Sequence, residues 1–135
     1  MKFTLLSLVT FAGLAAAAPG FGVVPATISA ALSGHPNYFA TFYGKTCATQ
    51  ASDYLTYSLQ SSVGDCLSFC DSVKGCKFVN SYIDKRSSKE TEQYTCSAYS
   101  KYHYEDSATN CGGQDQTGSG QTNYITDSAG FNRIY

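Results

Sequence analysis

Six cysteines are the residues of this chain best placed to do chemistry: Cys47, Cys66, Cys70, Cys76, Cys96 and Cys111, separated by 18, 3, 5, 19 and 14 residues. Three uses are open to such a set: metal ligation, thiol catalysis and disulfide bonding. A structural zinc site takes knuckles of two closely spaced cysteines, repeated at matching spacing. These intervals fit no such set, so no metal site is expected. A catalytic thiol needs a cysteine left unpaired, and an even count leaves none over. In an oxidising compartment the same even count reads as a disulfide framework. Six cysteines allow fifteen pairings, and spacing alone does not choose among them.

Acid–base chemistry has less to work with. Two histidines are present, His35 and His103. His103 sits in Ser100-Lys101-Tyr102-His103-Tyr104-Glu105-Asp106-Ser107, an aromatic and charged cluster. As a site it would offer stacking tyrosines and an imidazole among two carboxylates and a lysine; as plain structure it is a polar loop after a strand. Glu105 and Asp106 are adjacent, and adjacent side chains of a strand point to opposite faces, so they do not make the facing carboxylate pair of a glycosidase. No G-x-S-x-G elbow, H-E-x-x-H pair or phosphate-cradling glycine loop occurs. The expectation is a non-catalytic protein without a cofactor.

The start of the chain bears on the redox compartment. Lys2 precedes an apolar run (FTLLSLVTFA), and then small residues accumulate in GLAAAAP. A charged start, a hydrophobic core and an A-x-A-like exit have the form of a secretion signal. Residues 1–17 are therefore expected to be a signal peptide, cut near Ala17. The run is shorter than the roughly 20 residues that span a bilayer, so no membrane span is expected in the mature chain. The expected location is extracellular, with the cell wall as one place to reside.

Composition narrows the partners. Tyr and Phe together number 19, there is no Trp, and charged residues make up 14% of the chain. Nine basic residues less Lys2 leave eight against ten acidic ones. That balance excludes the basic patch that phosphate contacts require, so no nucleic-acid partner is expected. Exposed tyrosines stack on sugar rings or form protein hot spots, with the hydroxyl still free to hydrogen-bond.

These residues must be positioned by a small number of elements. Residues 18–37 read as a flexible leader rich in Ala, Gly, Pro and Ser, with Val23, Val24, Ile28 and Leu32 able to dock weakly. Residues 38–43 and 54–59 read as strands. Ser61 or Ser62 caps a helix with Asp65 in its first turn; Cys66, Phe69, Cys70 and Val73 share one face, and Gly75 ends it, with Lys74 in the last turn. A hairpin follows: Cys76, Phe78, Asn80 and Tyr82 on one side of a strand, Val79 and Ile83 on the other, a charged loop over residues 84–90, and a return strand over 93–99. Tyr124-Ile125 and residues 131–135 are short segments that would add a last strand.

The stretch GDCLSFCDSVKGCKFVNSYID, followed by YTCSAYS, resembles the core of a PAN/apple domain, and small secreted proteins of fungi carry similar segments. The likeness covers residues 47–111. It implies an α+β fold, a small disulfide-stapled PAN/apple-like module with an antiparallel sheet packed on one main helix, occupying residues 38–135. It also implies nested pairing of Cys47 with Cys111, Cys66 with Cys96, and Cys70 with Cys76. The long leader and the Gly-rich tail beyond Cys111 depart from the family pattern. The function this resemblance implies is recognition of an extracellular glycan or protein. Tyr82, Tyr94, Tyr99, Tyr102, His103 and Tyr104, around the hairpin and its exit, are the candidate ligand-binding residues, and Asn80, Lys85, Arg86 and Gln93 would add polar contacts. The alternative is a structural or effector-like secreted protein acting through self-assembly or a host protein partner.

Overall fold

The structure is a computed structural model that describes residues 23–85, 93–114, 118, 120 and 122–134. The signal segment 1–17, the first residues of the leader, and Arg86 in the charged hairpin loop lie outside these residues. The described elements are helix α1 (Ala26–Ser33), strands β1 (Tyr38–Lys45), β2 (Ala48–Thr49) and β3 (Tyr54–Gln60), and helix α2 (Val63–Ser72). Strands β4 (Phe78–Lys85) and β5 (Tyr94–Tyr99), a 3-10 turn (Glu105–Ser107), β6 (Ala108–Asn110) and β7 (Tyr124–Arg133) follow. Five strands form one antiparallel sheet in the order β1-β7-β4-β5-β3, while β2 and β6 pair separately. The chain is thus a small disulfide-stabilised α+β module. Among the described residues, no helix is long and apolar enough to cross a membrane.

Helix α2 forms where its sequence places an N-cap. Ser62 stays extended and its hydroxyl accepts from the Asp65 amide at 3.1 Å, while Ser61 donates to the Asp65 carboxylate. This satisfies one orphan donor and puts negative charge at the positive end of the helix dipole. Val63, Cys66, Leu67 and Cys70 are the buried stripe; Leu67 lies in it fully, and Phe69 is only partly buried. The helix stops at Ser72 rather than at Gly75. Val73 is already extended (φ −98°, ψ 119°), as a β-branched residue prefers, so Val73 and Lys74 lie outside the helix. Gly75, at φ +83°, then turns the chain so that Cys76 meets Cys70 six residues back.

The leader contains a helix that the sequence does not announce. Pro25 precedes α1 with φ already suited to a helix start, and Ile28 and Ala31 are buried against α2. His35 holds the junction, its ring nitrogens 3.0 Å from the Ala31 carbonyl and 3.0 Å from the Ser68 hydroxyl. Val23 and Val24 remain exposed.

Both helices cover one face of the sheet, where Val79, Cys96, Ala98, Ala129 and Phe131 meet the α2 stripe. Cys96 and Ala98 are small, which lets α2 lie close to β5, and the Cys66–Cys96 bridge fixes it there. Cys76 belongs to this helix-side core, not to the side of Phe78, because strand pairing begins only at Phe78. The opposite face is floored by Phe42, Phe78 and Tyr99 and covered by β2, β6 and their loops. Cys47–Cys111 closes that cover. The three bridges form the same nested set that the resemblance implies.

The tail contributes more than a last strand. Strand β7 is ten residues long and runs between β1 and β4, inside the sheet rather than at its edge. Its centre is irregular: Asp127 sits at φ +54°, and the register with β4 shifts there. A Cβ on Gly130 would collide with the rings of Phe42 and Phe78, so glycine is what allows those rings to lie flat on the sheet.

Candidate functional site: a tyrosine-floored groove

The sheet face away from the helices opens at one end into a groove of about 630 Å³. Strand β5 lays Thr95, Ser97 and Tyr99 along its floor, and β4 adds Tyr82 and Asp84. Edge strand β3 contributes Tyr54, Tyr57 and Leu59. Thr49 at the end of β2, Gln50 and Ala51 after it, and Asn110 at the end of β6 form the wall.

A backbone irregularity brings Tyr54 and Tyr57 together. On a regular strand, residues three apart point to opposite faces. Here Tyr54 opposes Tyr99, Thr56 opposes Ala98 and Tyr57 opposes Ser97. Two residues of β3, Leu55 and Thr56, thus span the step that one residue makes on β5. This bulge restores Tyr54 to the face of Tyr57 and Leu59, as bulges commonly re-aim a side chain. The Tyr54 and Tyr99 rings then meet edge to face at 5.8 Å.

The groove is stiff at its floor and open at its rim. Tyr99 is buried, and its hydroxyl donates to the Thr49 carbonyl at 2.8 Å. Tyr82 is half-buried, and Ser97 hydrogen-bonds its hydroxyl. Tyr54, Tyr57 and Leu59 are exposed, Tyr57 most at 59%. Burial raises the phenol pKa of Tyr54, Tyr82 and Tyr99 above the usual value, with neighbouring tyrosines adding to it in each case. All three hydroxyls therefore remain neutral donors through the physiological range. Asp84 accepts from Asn123 Nδ2 at 2.9 Å, which aims its carboxylate.

The wall hangs on a buried amide. Asn80 is fully buried; its Oδ1 accepts from the Thr49 amide at 2.8 Å, and its Nδ2 donates to the Ala129 carbonyl at 2.8 Å and to the Ser128 hydroxyl at 3.0 Å. Asn80 is thus a hub inside the protein and not a ligand contact.

The six aromatic residues singled out from sequence are not gathered in one place. Tyr82 and Tyr99 line the groove. Tyr94 faces the helix side, beside a smaller cleft of about 380 Å³ with Thr27, Ala30 and Val63. Tyr102 is exposed next to Lys77 and Arg133, and Tyr104 is exposed on the far loop. His103 is a structural residue. Its Nε2 meets Asp53 Oδ1 at 2.8 Å, with side chains only 15% and 11% exposed, and its ring packs against Phe78 and Tyr99 at 5.2 Å each. Its carboxylate partner is therefore fifty residues away, not Glu105 or Asp106; Glu105 pairs with Lys45 at 2.7 Å. Burial alone would raise the Asp53 pKa, but the hydrogen bonds from His103 and the Lys101 amide outweigh it and hold the group below its ordinary value. Gln93 and Lys85 flank the charged hairpin loop and are not among the residues that line the groove.

Of the groove residues only Tyr82 and Tyr99 are singled out from sequence; Tyr54, Tyr57, Leu59, Asp84, Thr95 and Ser97 are among those that are not. The alternation of Thr95, Ser97 and Tyr99 was a usable signal for the floor, whereas the bulge leaves no mark in the sequence. Among the described residues, no three His, Cys, Asp or Glu side chains converge as a metal site requires. Compared with family models, with curated proteins and with solved structures, the chain matches none.

Proposed function

We propose that this chain is a secreted, non-catalytic recognition module that holds a glycan on the tyrosine-floored groove. The observation that carries the reading is the presentation of Tyr54, Tyr57 and Tyr82 by two strands, over the buried Tyr99, on one open face. Aromatic faces stack on the C–H surfaces of sugar rings, while Thr95, Ser97, Gln50 and Asn110 offer the hydroxyl and amide partners that sugar hydroxyls need. Among the described lining residues Asp84 is the one carboxylate, and general acid–base hydrolysis of a glycosidic bond takes two. Three disulfides suit an extracellular setting, and the resemblance to PAN/apple domains points the same way.

The test is retention of the oxidised protein on insoluble chitin, β-glucan and cellulose, with reduced and alkylated protein as control. Retention by one polymer is expected, lost on reduction. Tyr57→Ala is expected to weaken it at least fivefold, on the order of 1 kcal/mol, the usual threshold of a contact that matters. Tyr57 lies outside both core clusters, so the variant folds as the parent does. No retention on any polymer overturns the reading.

A second reading has its own observation. Strand β3 is a sheet edge that carries no charged residue and exposes Tyr54, Leu55, Tyr57 and Leu59, and such edges pair with other strands. A micromolar dimer abolished by Leu59→Lys, in protein that no polymer retains, would favour self-assembly.

A further inference from the structure

The three bridges differ in what can reach them. Cys66, Cys70, Cys76 and Cys96 belong to the core under α2 and are no more than 1% exposed. Cys111 is exposed and Cys47 half-buried, so Cys47–Cys111 is the bridge that a thiol in solution can attack. The two residues after Cys111 are Gly112 and Gly113, which carry no side chain to screen its sulfur. A Cβ on Gly112 would lie 2.8 Å from the Asn123 carbonyl oxygen, so the fold itself demands glycine beside the bridge.

The same bridge fastens the groove wall. Cys47 lies two residues before Thr49, and Cys111 directly follows Asn110; both Thr49 and Asn110 line the groove. Strands β2 and β6 carry these wall residues. They pair at only two positions, Ala48 with Asn110 and Thr49 with Ala108, with a register shift between them. The two sides of the wall are not equally tied to the sheet. Asn80 holds the Thr49 amide, and Tyr99 holds its carbonyl. Strand β6 is fastened near its ends, where the Gln50 amide donates to the Ser107 carbonyl at 3.0 Å and Gly112 bridges to Tyr124. Between those ends, Asn110 is tied across to β2 by its pairing with Ala48 and by the disulfide beside it.

We infer that Cys47–Cys111 is a redox latch on the groove: a dithiol reductant opens it while the two buried bridges persist, the β6 side of the wall loosens, and ligand is released. This rests on the glycan reading above and adds its regulation. The chemistry is thiol–disulfide exchange. A thiolate of the dithiol attacks the exposed Cys111 sulfur and forms a mixed disulfide. The bond to Cys47 breaks, and Cys47 leaves as a thiolate that takes a proton from water. The second thiol of the reductant loses its proton and attacks the reductant's own sulfur in the mixed disulfide. That step closes the reductant's disulfide and expels Cys111 as a thiolate, which is protonated in turn. Two electrons pass from the dithiol to the bridge, and exchange with an oxidised dithiol reverses the step. Access sets the order, because a buried sulfur is screened from the attacking thiolate. The core outlasts the opening, since Cys66–Cys96 still joins α2 to β5 and Cys70–Cys76 still closes the turn before β4.

The experiment treats the intact oxidised protein with limiting dithiothreitol at neutral pH, quenches with iodoacetamide, and maps the alkylated cysteines by mass spectrometry. Cys47 and Cys111 are expected to be alkylated together, at least about tenfold faster than the other four. In the singly opened protein, hydrogen exchange over 108–111 is expected to quicken at least about fivefold, while the Thr49 amide keeps its protection and the circular dichroism spectrum is unchanged. Retention on the polymer that holds the oxidised form is expected to fall at least about fivefold, and to return on reoxidation. The Cys47→Ser/Cys111→Ser protein should behave as the opened form with no reductant present; if it does not fold, the selectively reduced protein carries the test. Equal opening rates for the three bridges, unchanged exchange over 108–111, or undiminished retention after selective opening overturns the inference. So does a collapsed circular dichroism spectrum when Cys47–Cys111 alone is open, since the bridge would then hold the fold rather than the groove. Failure of every polymer to retain the oxidised protein overturns the glycan reading, whereas the order of reduction and the exchange over 108–111 still decide whether the wall is latched.

Discussion

Replacing Asn80 by Ala tests whether the groove wall depends on one buried amide. In the folded protein this side chain makes three good hydrogen bonds, to the Thr49 amide, the Ala129 carbonyl and the Ser128 hydroxyl. The Ser128 hydroxyl can rotate toward another partner, so its loss is small. The Thr49 amide cannot: Thr49 is buried, and leaving a buried donor unpaired costs about 1–3 kcal/mol. The lost bond to the Ala129 carbonyl adds about 1 kcal/mol. The small void left by the amide contributes roughly 1 kcal/mol more. The expected destabilisation is therefore about 3–5 kcal/mol, a large part of the 5–15 kcal/mol that typically holds a domain together. For a domain near 100 residues this lowers Tm by about 12–20 °C. Urea and thermal unfolding of the oxidised protein, followed by circular dichroism, measure both quantities. Ser128→Ala is the companion variant, which removes a single bond and should cost about 1 kcal/mol. An Asn80→Ala protein within 1 kcal/mol of the parent would refute the reasoning, because the Thr49 amide would then have found another partner and the wall another support.

Two further perturbations follow from the staples and the buried ion pair. The Cys66→Ala/Cys96→Ala protein should be less stable than the Cys70→Ala/Cys76→Ala protein. The bridges close sequence separations of 30 and 6, for which loop entropy gives about 3.7 and 2.2 kcal/mol. All four cysteines are at most 1% exposed, so the burial costs of the two replacements nearly cancel, and equal urea midpoints would contradict the entropic account. Asp53 predicts an acid limb in stability. Its folded-state pKa is depressed, so its contribution is present above the unfolded value of about 3.9 and is lost as pH falls through the folded value. Asp53→Asn should flatten the fall in stability below about pH 4; parallel pH profiles for the two proteins would show that the His103 contact does not act on folding.

What the sequence made legible was set by short-range pattern. The capped helix over Val63–Ser72 and the β4–β5 hairpin come from cues a few residues apart: Ser62 before Asp65, Cys66 and Cys70 one turn apart, and alternation along each strand. What stayed hidden depends on distant partners. Helix α1 has Ile28 and Ala31 to bury and Leu32 to cover in part, and docking on α2 supplies what its weak periodicity does not. Strand β7 reads as two fragments because Asp127, Ser128, Ala129 and Gly130 are poor strand formers. Gly130 is nonetheless what Phe42 and Phe78 require, because their rings occupy the place of its Cβ. The groove was hardest to see. Its Tyr54–Tyr57 pair exists only because of a one-residue bulge, and one residue of register is the difference between two faces of a sheet.

The same features decide how mutations in the groove must be interpreted. Its residues fall into two mechanical classes. Tyr99 and Tyr82 lie over the paired strands β4 and β5, where the Cys66–Cys96 bridge and the Tyr99–Thr49 hydrogen bond hold the floor in place. Tyr54 and Tyr57 lie on the edge strand, exposed and outside the core clusters. Tyr99→Ala would open the groove floor, leave the Thr49 carbonyl without its tyrosine donor, and take away the ring against which His103 packs. A loss of binding in that variant would mix recognition with wall collapse. Tyr57→Ala removes only area offered to a ligand. Binding lost at Tyr57 with an unchanged melting temperature is thus attributable to the ligand contact itself, and the edge strand is where recognition can be separated from folding.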